Sequence, residues 1–255
     1  MRGVTEKLRA HWQKTDYVTF LGCGEPTLAS NLAEVCSAIS DIWKGKKALL
    51  TSGALIWKSE VRRDSLGFDV VLPTVSAGEQ GLWRKIHRPH PSLSYAKVMS
   101  GLRGFAAEFS GQIWVEVMLL RGVNDDLRNL EGIRKAIEPL NPEKIQLMAP
   151  TRPPAEKWVH CPSKEAVERA IAAIPGSVDM TEPEKGEFAA RRDEAVEDLL
   201  AMAMVHPMRE EQAMGVLLGA DLSSKDASSI LKSLEGSGKL IRKVYKGTEF
   251  YRAEE

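Results

Sequence analysis

At 255 residues, 43% hydrophobic and 27% charged, the chain is long enough for one large domain plus a small one and too apolar for disorder. Its 35 basic residues balance its 35 acidic ones, which leaves no global field to favour nucleic acid or an anionic membrane. No apolar run approaches the length of a transmembrane helix and the N-terminus lacks a signal-peptide core, so the chain reads as cytoplasmic, with no membrane partner.

Residues 4–13 look like the tail of a helix feeding a first strand at 17–21. Further apolar strands are expected at 47–51, 68–72, 113–120 and 144–148. Helical patterns fall between them at 27–44, 58–65, 79–87, 94–109 and 127–137, with 163–174 closing the set. Thr27, Ser94 and Ser163 are the expected N-caps. Strands apolar on both faces and alternating with helices predict a parallel α/β sheet. Each strand ends in turn residues, and in a parallel sheet all these loops share the C-terminal edge, where such folds place ligand sites. Glu25, Asn124, Asp125 and Arg152 converge there. Five strands are too few to close an eight-stranded barrel.

The three cysteines show neither metal-ligand spacing nor a disulfide framework. Cys36 falls inside a helical pattern as a core residue. Cys161, before Pro162, reads as an exposed loop thiol. Cys23 ends the first strand with no local His or Lys to activate it.

Residues 181–190 are charged and contain Gly and Pro, a linker between a barrel-like region (1–180) and a small domain (191–255). In the latter, amphipathic helices at 195–205, 208–218 and 224–234 precede a hairpin of 240–244 and 248–251. That is the plan of a winged helix-turn-helix. The helix in the recognition position is neutral, Lys225 and Lys232 facing Asp226 and Glu235. Only the wing is basic, through Lys239, Arg242, Lys243, Lys246 and Arg252 against Glu249. Phosphate neutralisation drives DNA binding, so protein contact or substrate docking fits this domain as well as nucleic acid does.

The strand-to-loop segment Asp16-Tyr17-Val18-Thr19-Phe20 into Gly24-Glu25-Pro26-Thr27-Leu28 resembles the Gly-Glu-Pro motif of radical S-adenosylmethionine (SAM) enzymes. Further matches follow in order at Thr51-Ser52-Gly53, Leu72-Pro73-Thr74-Val75-Ser76-Ala77-Gly78, Arg88-Pro89-His90-Pro91, Arg121-Gly122-Val123-Asn124-Asp125 and Thr151-Arg152-Pro153-Pro154. Over nearly its whole length the chain is similar to a radical SAM group, the Fe–S oxidoreductases distantly related to wyosine-type tRNA-modifying enzymes, with a C-terminal winged helix. The resemblance implies a partial (β/α)6 TIM-like barrel missing its first strand, with SAM across the strand ends. It places Gly24, Glu25 and Pro26 at the methionyl amine and Ser52 near the ribose or carboxylate. Ser76 follows the next strand, and Asn124 and Met148 lie near the adenosine. Arg88, His90 and Arg152 face a substrate or the SAM carboxylate. Ser52 stands where the family usually has Asn, and Ser76 where it usually has Asp.

The resemblance also implies a [4Fe–4S] cluster whose open iron passes an electron to the sulfonium and yields a 5′-deoxyadenosyl radical. An electron donor such as flavodoxin or ferredoxin and a small-molecule or macromolecular substrate go with it. No C-x3-C-x2-C run occurs in the 255 residues, and no catalytic or metal-ligating residue can be named. Two readings stay open: a radical SAM enzyme truncated of its cluster loop, inactive as it stands, or a clusterless ligand-sensing or scaffold protein acting through the winged helix on protein or DNA. An α/β enzyme using Glu25 as general base is the weakest, since nothing pairs it with a nucleophile or metal.

Overall fold

The computed structural model describes residues 15–22, 24–182 and 194–253; the expected helix tail at 4–13, Cys23 and most of the linker lie outside these. The chain divides into two units, one comprising Met1–Ala149 and His160–Thr181, the other Pro150–Val159 and Glu182–Glu255.

The first unit is a six-stranded parallel sheet whose spatial order is the chain order, β1 (Tyr17–Phe20), β2 (Lys46–Thr51), β3 (Val70–Pro73), β4 (Gln112–Met118), β5 (Lys144–Met148) and β6 (Ser177–Met180). Helices α1 (Leu32–Ile42), α2 (Ser59–Ser65), α3 (Gln80–His87), α4 (Tyr95–Glu108), α5 (Leu127–Ile137) and α6 (Lys164–Ala173) lie between the strands in sequence. β6 raises the expected five strands to six. Its Ser-Val-Asp-Met sequence carries too little apolar or β-branched signal to stand out beside the others.

One expected helix breaks. The stretch expected as one helix forms a 3-10 turn, Pro26–Leu28, and then α1, and Thr27 caps neither: Glu25 caps the turn, its carboxylate accepting from the Thr27 N–H, and Asn31 stands at the N-cap of α1 without a side-chain bond. Ser94 and Ser163 do cap α4 and α6.

Strand alternation sorts the core. Leu49, Val71, Val115, Val117 and Leu147 point to the helices and pack with Leu102, Phe105, Leu130, Ile133 and Ile137. Each such fully buried side chain is worth about 1.5–3 kcal/mol. The three from α5 recur at i, i+3 and i+7, the stripe that faces a sheet. The loop after β3 meets α5 backbone to backbone, since a Cβ on Gly78 would lie 2.3 Å from the Gly132 carbonyl carbon. Cys36 is buried in this core, and Cys161 is buried too, at 5% exposure, which corrects the expected exposed thiol.

The opposite face of the sheet varies in burial along its width. Its lower part holds Tyr17, Ala48, Leu50, Val70, Leu72 and Trp114, and its β6 side leaves Val178 51% and Met180 46% exposed.

The second unit contains α7 (Ala195–Val205), β7 (Met208–Arg209), α8 (Glu210–Leu218), α9 (Ser224–Gly236), β8 (Leu240–Tyr245) and β9 (Thr248–Ala253), with antiparallel sheet order β7-β9-β8. The helix expected from 208 starts two residues later because Met208 and Arg209 pair with β9. Lys246 and Gly247, both at positive φ, close the tight hairpin. Among the described residues no helix is long and apolar enough to cross a membrane.

Candidate ligand site at the sheet edge

The C-terminal edge of β1–β3 carries a cavity of about 440 Å³ lined by Leu21, Gly24, Pro26, Leu50, Ser52 and Thr74 among others, within the range of small-molecule sites. Glu25 also lines it, and its carboxylate is already committed. One oxygen accepts from the Thr27 N–H at 3.1 Å, the Thr27 hydroxyl at 2.7 Å and the Thr51 hydroxyl at 2.6 Å. The other accepts from the Ser52 N–H at 2.7 Å and the Ser52 hydroxyl at 2.5 Å. Burial pushes this carboxyl up, but the hydrogen bonds from Ser52, Thr51 and Thr27 outweigh it and hold it below the ordinary range. Glu25 is thus a fixed anion that ties the turn after β1 to the end of β2. A carboxylate with its lone pairs filled is poorly placed to serve as a general base.

Gly24 is the open counterpart. A Cβ built there would meet nothing within 4 Å, and among the described residues neither its N–H nor its C=O is in a hydrogen bond. The turn therefore presents bare peptide groups to the cavity beside a half-buried negative charge, a fit for a small zwitterion carrying an ammonium group.

Ser76 and Asn124, expected at a cofactor, are instead enclosed at 0% exposure. The Asn124 amide donates to the Ser76 carbonyl at 2.9 Å and the Met118 carbonyl at 2.8 Å, and its oxygen accepts from the Leu120 N–H at 2.7 Å. The Ser76 hydroxyl accepts from the Met118 N–H at 2.9 Å. These bonds reinforce a sparse ladder: paired residues of β3 and β4 stop at Val71 and Ile113, and the backbones meet again at the bridge between Thr74 and Glu116, where the Val75 N–H donates to the Glu116 carbonyl at 2.9 Å. Both residues shape the edge from behind.

The other expected residues divide. The Met148 carbonyl accepts from the Leu119 N–H at 2.8 Å at the end of β5. Asp125 accepts from the Gly122 N–H at 2.8 Å and closes its own turn. His90 lines a second cavity, about 200 Å³, with Glu25, Leu28, Ser52, Trp83 and His87 among its walls. Arg88 is exposed in left-handed conformation at the C-cap of α3, and Arg152 falls in the second unit.

Sequence reading missed two side chains. The His87 ring accepts from the Ser76 N–H at 3.4 Å through Nε2, and burial lowers its pKa to about 4, so it is neutral at physiological pH. Glu116, on the open face of β4, has its carboxyl pushed up by burial, partly offset by a bond from the Thr74 hydroxyl.

A [4Fe–4S] cluster needs thiolates, and the described residues do not fit one. Among them no group of three His, Cys, Asp or Glu side chains could hold a metal; Cys36 sits in the core with its thiol pKa raised by burial, its Sγ donating to the Gly67 carbonyl.

No family model matches the chain. It is 32% identical over 244 residues to UPF0026 protein MJ1312 of Methanocaldococcus jannaschii, covering 94% of this chain and 74% of that protein. It is also 28% identical over 240 residues to a Brachyspira hyodysenteriae protein named GTPase Obg, of which it spans only 35%. No Gly-x4-Gly-Lys-Ser/Thr phosphate loop occurs in this chain. Among solved structures, a radical SAM methyltransferase from Sphaerobacter thermophilus superposes with a TM-score of 0.54 at 18% identity, covering 72% of this chain and 55% of that one. Streptococcus suis SuiB bound to S-adenosylmethionine gives 0.53 at 12%, covering 72% and 44%. A domain of pyruvate-formate lyase-activating enzyme from Bacteroides vulgatus gives 0.50 at 19%, covering 64% and 97%. The likeness is one of fold, an α/β sheet arranged as in radical SAM enzymes. By its sequence the chain belongs to the UPF0026 family.

Proposed function

We propose that this chain is the SAM-binding barrel region of a radical SAM protein. The observation that carries the reading is the sheet-edge cavity, where Gly24 offers free peptide groups beside a carboxylate anchored by five hydrogen bonds, on a fold shared with SAM-dependent radical enzymes. The Gly24 carbonyl would accept from the methionyl ammonium. The half-buried charge of Glu25 would favour that cation without spending a lone pair on it, and Ser52 and Thr74 border the remaining volume. SAM, when bound, would supply the radical chemistry of the family. The chain's own residues do the binding and shaping: Glu25 holds the turn, and Asn124 and Ser76 hold the wall.

A cluster enters this proposal only through the fold shared with radical SAM enzymes, since no C-x3-C-x2-C run occurs within these 255 residues. The second unit we read as a winged helix, supported by its element order and by sheet order β7-β9-β8. Arg242 contributes less to the wing's charge than its sequence suggests, because Glu235 and Glu249 both pair with it. A neutral α9 and a partly neutralised wing favour protein or substrate docking over specific DNA binding.

The test is calorimetric titration of the 255-residue chain with SAM, alongside the intact mass of the native polypeptide. Saturable binding weakened by Gly24→Pro, with a native mass well above 28.2 kDa and an iron–sulfur signal, supports the proposal. No SAM binding, or a native mass equal to this chain, overturns it in favour of a scaffold role.

A further inference from the structure

The face of the sheet turned away from the helices is ordered in rows by strand register. One row runs Thr74, Glu116, Gln146 and Val178 across β3 to β6, and the next, toward the C-terminal edge, runs Met118, Met148 and Met180. All seven share a face, since the residues between them on β4 and β5, Val115, Val117 and Leu147, are fully buried on the helix side. Glu116 has no cationic partner among the described residues, its carboxylate accepting from the Thr74 hydroxyl at 3.5 Å. The nearby cations of that face are held elsewhere: Lys144 sits 4.0 Å over the Trp114 ring and Lys46 5.9 Å from the Tyr17 ring, both toward the N-terminal ends of the strands. A half-buried carboxylate in mid-sheet is costly unless something compensates it.

We infer that this face is the substrate seat and that it takes a primary ammonium group, with Glu116 as its anionic anchor and the methionine row under the apolar remainder of the same molecule. The donor count decides the class. An ammonium carries three N–H donors, and strand register sets in one row three side chains that carry acceptor oxygens: Glu116, Thr74, whose hydroxyl donates to Glu116, and Gln146, whose amide can turn its oxygen to a donor. Thioethers are flexible and polarisable, suited to an alkyl or aromatic chain of varying shape. An anionic substrate would meet like charge here. The inference uses the preceding reading only for where the reaction occurs.

The experiment is an NMR titration of the chain labelled at methionine methyls and glutamate Cδ, with n-hexylammonium as probe and hexanol and hexanoate as controls. Saturable shifts at Glu116, Met118, Met148 and Met180 with hexylammonium alone are expected. Glu116→Gln keeps the shape and removes the charge-assisted bond, so it should weaken the probe by about tenfold or more. Gln146→Leu, which leaves Glu116 in place, should weaken it several-fold. Equal binding of hexanol or hexanoate, unchanged affinity in Glu116→Gln, or no saturable shift would overturn the inference. A parallel SAM titration separates the two ideas: SAM without amine binding refutes this one alone, and amine without SAM refutes the cofactor assignment alone.

Discussion

Replacing Glu25 by Gln should cost the first unit about 3 kcal/mol, although the two side chains have the same shape. The carboxylate accepts five hydrogen bonds, two of them from backbone N–H groups, Thr27 on one oxygen and Ser52 on the other. The three hydroxyl donors can rotate away from an amide NH2, but a peptide N–H cannot. Whichever way the Gln amide is turned, one fixed N–H faces another donor. The variant therefore loses a hydrogen bond to a charged acceptor and leaves a part-buried N–H unpaired, against a total stability of roughly 5–15 kcal/mol. Urea unfolding followed by tryptophan fluorescence reads this directly, since Trp43, Trp57, Trp83 and Trp114 all lie in the first unit. At about 2–3 kcal/mol per molar urea, the midpoint should fall by about 1 M with an unchanged slope. The pH dependence supplies a second check. The folded pKa of Glu25 lies below its ordinary value, so the unfolded state binds more protons just below pH 4.5. Its contribution is present above that pH and is lost as pH falls through the folded pKa. The gap between the native chain and the variant should narrow in acid. A midpoint shift under 0.3 M, or a gap constant from pH 7 to pH 3, would refute the account of Glu25 as a pin.

Three further outcomes are expected. Asn124→Ala strands two carbonyls and one N–H behind the sheet edge and should destabilise by about 3–5 kcal/mol, while the SAM affinity of the protein that still folds stays within twofold; an affinity collapse in a stable variant would put Asn124 back at the ligand. His87 is neutral when folded down to about pH 4 against an ordinary 6.5, so its contribution, at most about 3 kcal/mol, is present above pH 6.5 and lost as pH falls toward 4; His87→Phe should flatten that part of the stability profile. Gly78→Ala drives a methyl into the α5 backbone and should lower the melting temperature by several degrees or more, and Gly132→Ala, whose Cβ would meet Gly78 at 3.4 Å, should do less harm.

Much of the sheet was legible because β2 to β5 are apolar runs bounded by turn residues. β6 was not, since Ser177 and Asp179 interrupt it and its order comes from pairing with β5. Glu25 stood out as a carboxylate between Gly and Pro, but its commitment to Thr51 and Ser52 depends on how β1 lies beside β2, 26 and 27 residues away. Ser76 and Asn124 are polar residues in loops and invite a ligand role from sequence. Their enclosure follows from a closure spanning 48 residues that no local pattern encodes. Glu116 was hidden for the opposite reason. In a strand where Val115 and Val117 dominate, one acidic residue reads as a solvent-facing alternation, and only the register with Thr74 and Gln146 shows what it stands among.

The side-chain stitching between β3 and β4 has an evolutionary corollary. A backbone ladder tolerates almost any side chain, but a seam closed by one amide reaching two carbonyls and an N–H does not. Position 124 should admit little other than Asn, while position 76 needs only an acceptor for the Met118 N–H and can drift between Ser, Thr and Asp. Across relatives, departures at 124 should come with a rebuilt loop after β3, and the two segments should change together or not at all.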